Sequence, residues 1–243
     1  MTAERESETM YGLAFETSSA LGSVALGRGE VVLEAQTFDR PRLHAVAFLP
    51  TVEQICRGHG VKPTAIRRVF VSNGPGSFTG LRIGVTAGRT IAFATGANLV
   101  AVCTLEAIAQ NAAELDPPPD RLAVLLDAKR QRVYAATFVR QGDRYHRTNE
   151  PTEAEPAAYL AQQDRSCVLM GEGVPYHRAV VDASGLRVLP ESIFRPRAET
   201  VYRLGVSLAD AGRFTDRRRL VPVYIRPPEA EEIWNRRHAD KLK

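Results

Sequence analysis

The segment from Val69 to Gly84, Val-Phe-Val-Ser-Asn-Gly-Pro-Gly-Ser-Phe-Thr-Gly-Leu-Arg-Ile-Gly, compresses a buried strand, a rigid corner and a helix start into one short run. Val69-Phe70-Val71 is the β-branched and aromatic run of a strand covered on both faces. Asn73-Gly74-Pro75-Gly76 ends it. The two glycines reach backbone angles closed to other residues, while Pro75 fixes its own φ and drives Gly74 out of the helical region. A helix is expected to begin near Leu81, where Ser77 and Thr79 can accept bonds from its free N–H groups. The loop has two readings. Converging N–H donors and the helix dipole suit a phosphate, which makes Gly74, Gly76, Ser77 and Thr79 candidate nucleotide contacts. The plainer reading is a tight strand-to-helix corner. Since the loop carries no lysine and no Gly-x-x-x-x-Gly-Lys-Ser/Thr, a P-loop is excluded.

In the helix that follows, Gly84, Gly88 and Ala92 recur every four residues and share one face, with Leu81, Val85 and Ile91 beside them. Two glycines inside a helix cost about 1 kcal/mol each against alanine. Close approach of another backbone is the physical reason for accepting that loss. Arg82 and Arg89 interrupt the apolar run and exclude a membrane span, so the expectation is a tight helix contact in water.

The chain has 243 residues, room for one large or two small domains, and its 44% hydrophobic and 25% charged fractions are those of an ordinary soluble protein. The net charge of +4 is uneven: from Arg195 onward there are 12 Lys/Arg and 7 Asp/Glu, so the basic excess is C-terminal. Cys56, Cys103 and Cys167 are far apart and odd in number, which gives neither a disulfide framework nor a C-x-x-C motif and fits a reducing compartment. Residues 1 to 10 are polar and acidic, unlike a secretory signal, and read as a disordered extension. With no apolar run of about 18 residues, the expected location is cytoplasmic, with no membrane partner.

Tyr11 to Thr17, Ser23 to Leu26 and Val31 to Phe38 read as an antiparallel meander, with a hairpin turn at Gly27-Arg-Gly29. Leu43 to Arg57 carries a helical apolar stripe that Pro50 should bend. Asn98 to Val102 is another strand, and Thr104 is the expected cap of a helix reaching about Leu115. Asp116-Pro-Pro-Pro-Asp120 is the clearest linker. The pattern then begins again: strand Leu122 to Leu126 ending at Asp127, strand Val133 to Val139, a turn at Gln141-Gly-Asp143, a strand near Tyr145 and a helix from about Ala154 to Gln162. Leu13-Ala-Phe-Glu-Thr17 falls on Val124-Leu-Leu-Asp-Ala128 at an offset of 111 residues, and Cys167 to Gly173 echoes Val69 to Gly76. The order of elements indicates two duplicated α/β lobes facing a cleft.

Glu16 and Asp127 then occupy matching strand ends, where paired carboxylates can hold a phosphate-bound magnesium ion. The alternative is that each opens a solvent-facing turn. His44 reads as a local cap or interface residue, and His44 and His59 have neither the spacing nor the adjacent acid of a metal protease. Arg217-Arg-Arg219, Arg226 and Arg236-Arg237 suit phosphate contacts. Acidic neighbours at Asp216, Glu229, Glu231 and Glu232 give these clusters the look of a solvated surface.

Leu13-Ala-Phe-Glu-Thr-Ser18, Ser72 to Gly84, Leu126-Asp-Ala-Lys129 with Val133-Tyr134, and Pro222-Val-Tyr-Ile-Arg226 together resemble the TsaB (YeaZ) family of bacterial threonylcarbamoyladenosine biosynthesis proteins. Glu16 stands where relatives often carry Asp. The resemblance implies an α/β fold of two duplicated ribonuclease-H-like lobes, as in actin, sugar kinases and Hsp70. The expected division is a disordered extension at 1 to 10, a first lobe at 11 to 116, a second at 117 to 226 and a charged tail at 227 to 243. It also implies a non-catalytic scaffold or activator subunit that binds TsaD, the subunit transferring a threonylcarbamoyl group to adenosine beside the tRNA anticodon. TsaE joins the larger complex, tRNA is met indirectly, and self-association through the same surface occurs when TsaD is absent. No catalytic residue, metal or cofactor is then required in this chain, with ATP or ADP and magnesium or another metal on partner subunits. On this reading Leu81, Gly84, Val85, Gly88 and Ala92 form the partner interface. The alternatives are a nucleotide-dependent enzyme of the same fold, using Glu16 and Asp127, a metallopeptidase-like protein, and a direct RNA-binding module.

Overall fold

The computed structural model describes residues 10–38, 44–226 and 234. The N-terminal extension at 1 to 9 and, apart from residue 234, the charged tail at 227 to 243 lie outside the described residues, as does the side chain of His44.

The first sheet has the order β3-β2-β1-β4-β5, with β1 (Tyr11–Glu16), β2 (Ser23–Arg28), β3 (Val31–Thr37), β4 (Ile66–Gly74) and β5 (Asn98–Cys103). The β1–β2–β3 pairings are antiparallel, as the meander predicts, and β4 runs parallel to both β1 and β5. The period-two alternation of strands splits the core cleanly. Leu13, Phe15, Val24, Leu26, Val69 and Val71 face one side, where α1 (His44–Gly58) and α2 (Phe78–Thr95) supply Phe48, Ile55, Val85 and Ala92. Ala14, Ala25 and Phe70 face the other. Helix α1 runs unbroken through Pro50.

The second sheet, β11-β10-β6-β7-β8, repeats this order with β6 (Arg121–Asp127), β7 (Val133–Gln141), β8 (Arg144–Arg147), β10 (Val168–Met170) and β11 (Arg187–Val188). A short extra strand, β9 (Thr152–Ala154), pairs with β7. Antiparallel β6–β7–β8 and parallel β6–β10–β11 pairings match the first sheet element for element. The protein is thus an α/β molecule of two duplicated ribonuclease-H-like lobes. Three short helices belong to the second half: α4 (Pro156–Ala161), α5 (Gly173–Tyr176) and α6 (Arg178–Ser184).

The strands of each sheet come from one half of the chain, whereas the helices cross between halves. Helix α3 (Thr104–Gln110) follows β5, yet its Leu105, Ile108 and Ala109 lie in the core of the second sheet. Helix α7 (Ala198–Asp210) follows β11, yet its Ala198, Val201, Tyr202 and Val206 cover Ala14, Ala25 and Phe70 of the first. Each half lends its last helix to the other. Thr104 is also not the cap it was expected to be: Cys103 holds that position without a side-chain bond, and the Thr104 hydroxyl is 2.8 Å from Ser72 Oγ. No helix among the described residues is long and apolar enough to cross a membrane.

Candidate functional site

The Gly-Pro-Gly corner folds onto the turn after β1. Ser77 donates its N–H to the Ser18 carbonyl at 2.7 Å, and the Ser77 hydroxyl caps α2 by accepting from the Gly80 N–H at 3.3 Å. The helix therefore starts three residues earlier than expected, at Phe78, with Thr79 inside its first turn. Gly74 has φ +123°, and a side chain there would stand 2.6 Å from the Val223 carbonyl oxygen; one on Gly76 would stand 2.5 Å from that of Ser18. The glycines at this corner are demanded by the chain's own backbone pressing against them. That is the tight-corner reading of the loop, with the Ser77 N–H already occupied.

The small-residue stripe on α2 has the same cause. Leu81, Gly84, Val85, Gly88 and Ala92 are all buried. A Cβ on Gly80 would collide with the Thr17 carbonyl oxygen, on Gly84 with the Thr17 hydroxyl and on Gly88 with Val71 Cγ2. What the glycines admit belongs to the same lobe: the Thr17 backbone, just past β1, at Gly80, and the side chains of Thr17 and of Val71 on β4 at Gly84 and Gly88. The interface expected at these five residues is therefore corrected: the face of α2 open to another molecule is the opposite one, with Arg82, Thr86, Arg89 and Phe93.

Glu16 ends β1 fully buried. Its Oε1 accepts from the Ser18 N–H and hydroxyl, both at 2.5 Å, while Oε2 has no partner within hydrogen-bond geometry among the described residues, Ser72 being the nearby hydroxyl. Burial pushes its carboxyl upward, against the opposing effect of hydrogen bonding from Ser18 and Ser72, and the nearby Glu172 carboxylate adds to the rise. Asp127 ends β6 in the equivalent position, where Lys129 donates to it through Nζ at 2.7 Å and through its backbone N–H at 3.1 Å. The buried His177 ring sits 3.7 Å from the same carboxylate. The group acting on Glu16 across the lobes is Glu172, the middle residue of the Gly171-Glu-Gly173 echo, rather than Asp127. No cluster of three or more His, Cys, Asp or Glu able to hold a metal occurs among the described residues.

Glu172 and His177 were missed from sequence. The duplicated strand-then-glycine pattern marks this loop in the sequence, but says nothing of where its acid points. Its acid faces the first lobe, near Ser19, with Arg195 Nε 3.4 Å away.

The C-terminal chain straps the first lobe. Thr215 donates its N–H to Leu99 O at 2.7 Å and accepts from the Ala101 N–H, covering the edge of β5. Leu220 is buried beneath it, Val223 donates to Asn73 O at 2.7 Å, and Tyr224 packs on Phe78 with ring centroids 5.0 Å apart. Arg226 reaches Glu153 of β9 at 3.6 Å, which ties the strap to the second lobe. Outside it, α1 and α2 lie on the same side of the first sheet and leave large apolar side chains in solvent: Val46 at 69% exposure, Leu49 at 61% and Phe93 at 73%.

A family model described as TsaD, tRNA N6-adenosine threonylcarbamoyltransferase, matches residues 39–182. The chain is similar to the tRNA threonylcarbamoyladenosine biosynthesis protein TsaB of Bacillus subtilis (strain 168), with 27% identity over 228 residues, 91% of this chain and 96% of the relative. Its similarity to TsaB of Escherichia coli (strain K12) is 29% over 220 residues, 88% of this chain and 94% of the relative. The solved structure of YeaZ from Pseudomonas aeruginosa matches with a TM-score of 0.79 at 28% identity, covering 89% of this chain and 100% of that one.

Proposed function

Because the chain belongs to the TsaB (YeaZ) family of tRNA threonylcarbamoyladenosine biosynthesis proteins, we propose that it serves tRNA modification as a non-catalytic subunit, binding the transferase TsaD through the outward faces of α1 and α2. The observation that carries this reading is the exposed apolar set Val46, Leu49 and Phe93, on two helices whose opposite faces are spent on their own sheet. Large apolar side chains left in solvent on two contacting helices mark an interaction surface. Inside the cleft, by contrast, Glu16 is bonded to Ser18, Asp127 to Lys129 and the Ser77 N–H to Ser18. These bonds favour a packed joint over a nucleotide site at Glu16, Asp127, Gly74, Gly76, Ser77 and Thr79. In this reading ATP or ADP and any metal belong to TsaD and TsaE, tRNA is met through the complex, and without TsaD the same face is available to a second copy.

The test is co-purification with TsaD of the unaltered protein, Leu49→Asp and Phe93→Asp, together with a tRNA modification assay run with and without this chain. Loss of complex in both variants, with melting temperatures near that of the unaltered protein, is expected. Magnesium-dependent ATP turnover by the purified chain alone, abolished by Asp127→Ala, would establish the enzyme reading instead.

A further inference from the structure

The two halves meet across a pair of carboxyls. Glu16 closes β1 at 0% exposure, and Glu172 stands in the loop between β10 and α5 with its side chain 22% exposed. On the side of the first half, Ser18 gives Glu16 Oε1 its two hydrogen bonds, and Ser72 of β4 stands near the carboxyl with its own hydroxyl 2.8 Å from Thr104 Oγ1 of α3. From the second half, Glu172 faces Glu16 and Ser19, and Arg195, 3.4 Å from Glu172 and 54% exposed, brings a positive charge to the outer side of the pair. Asp127, the acid at the matching strand end, is taken by Lys129. Burial pushes both carboxyls upward; the bonds from Ser18 and Ser72 oppose this at Glu16 while Glu172 adds to it, and Arg195 and Ser19 oppose it at Glu172. An ionised carboxyl in the interior with one oxygen unpaired is strongly disfavoured, and a second carboxylate facing it makes the ionised state worse.

We infer that Glu16 and Glu172 form a proton-operated latch between the lobes, closed while the pair holds a proton and released when both carboxyls are ionised. A proton on Glu16 leaves a neutral acid in the interior and a single carboxylate, Glu172, beside Arg195. Its loss sets two anions face to face with one cation on the outer side. Release opens the joint and not the whole molecule, since α3 and α7 stay packed on the sheets of the opposite halves. The turn that carries the charge also carries the start of α2: Thr17 Oγ1 donates to Gly80 O at 2.8 Å, and Ser18 O accepts from the Ser77 N–H at 2.7 Å. Ionisation of the pair is therefore felt at the first turn of α2. Because the closed joint binds the proton more tightly than the open one, it is stable at low pH and is lost as pH rises.

The experiment follows the full chain between about pH 5 and about pH 9 by small-angle scattering and by hydrogen exchange corrected for the intrinsic rate at each pH. The amides of Ser77, bonded to Ser18 O, and of Val174, bonded to Gly171 O at 3.0 Å, report from either side of the joint. Their protection is expected to fall about tenfold or more as pH rises, with a larger radius of gyration, while protection within β6 stays constant. Glu16→Gln should remain closed at every pH. Arg195→Gln withdraws the cation, so the pair keeps its proton to higher pH and the midpoint moves up, whereas loss of a purely structural clamp would loosen the joint equally at every pH. Protection that does not change with pH in the unaltered chain overturns the latch, as does a fall that persists in Glu16→Gln or an Arg195→Gln joint loosened uniformly. If Glu16→Gln does not fold, Glu172→Gln decides in its place: it removes the second anion, so the fall with pH should shrink, and an undiminished fall overturns the latch.

Discussion

Asn111 is fully buried where the two exchanged helices meet, and every hydrogen-bonding position of its side chain is used. Its Nδ2 donates to the carbonyls of Ile193 and Arg195 at 3.0 and 2.7 Å, and its Oδ1 accepts from Arg197 and from the Thr200 hydroxyl. Asn111→Ala removes the donor to the Ile193 and Arg195 carbonyls and the acceptor of the buried Thr200 hydroxyl. Chemical denaturation should show a loss of about 2–4 kcal/mol, given about 1–3 for each unsatisfied buried group and partial relaxation. Asn111→Asp keeps the Arg197 contact while losing both donors, and should remain clearly destabilised.

Glu16 makes a prediction of opposite character. Because burial raises its carboxyl above the ordinary 4.5, the folded state holds the proton more tightly than the unfolded chain does. Its contribution to stability is complete below that ordinary value and is lost as pH rises through the folded value. Glu16→Gln retains an acceptor for Ser18 without the ionisation. Thermal unfolding should therefore show the variant gaining on the unaltered protein between about pH 5 and about pH 8; a gap that does not change with pH would mean Glu16 is ionised at little cost.

At the scale of elements, α2 shows how a correct pattern can be assigned to the wrong neighbour. The spacing of Gly84, Gly88 and Ala92 states that something comes close to the helix, but a one-dimensional pattern carries no direction, and the lobe's own β1 and β4 supply the contact. Strand positions were legible because alternation and β-branched runs are local. The crossing of α3 and α7 was not, since a buried helix face looks the same whichever sheet it covers. The neutral and acidic partners of Glu16 were likewise hidden by distance: Ser72 and Glu172 come from separate strand ends joined only in the fold. Gly80→Ala, which drives a Cβ into the Thr17 carbonyl, should cost about 2–3 kcal/mol after the gain in helix propensity. Gly88→Ala drives a Cβ into Cγ2 of the fully buried, β-branched Val71 and should cost about 1–3 kcal/mol. Both variants should still bind TsaD when folded, because neither touches the outward face; urea titration with a pull-down at low temperature separates the two effects.

For the whole molecule, the helix exchange means that neither core is complete without residues from the other half. Calorimetry should give one cooperative transition, with calorimetric and van't Hoff enthalpies in agreement. Two resolved transitions would show that the lobes melt independently. Truncation after Arg197 removes Tyr202, whose hydroxyl donates to Gly29 O at 2.9 Å, and strips the cover from Ala14, Ala25 and Phe70. Such a chain should bind a hydrophobic dye and lose its sharp transition, although both sheets remain encoded.

The same exchange bears on how a duplicated chain of this kind comes to exist. A gene for one half alone would encode a sheet bare on one side, and its shortest route to a closed core is for two copies to swap their terminal helices. Joining those copies end to end turns an assembly that depends on concentration into one that does not. From then on either half can drift at its loops, giving up one chemistry or acquiring a docking face, while the swapped helices keep both sheets covered.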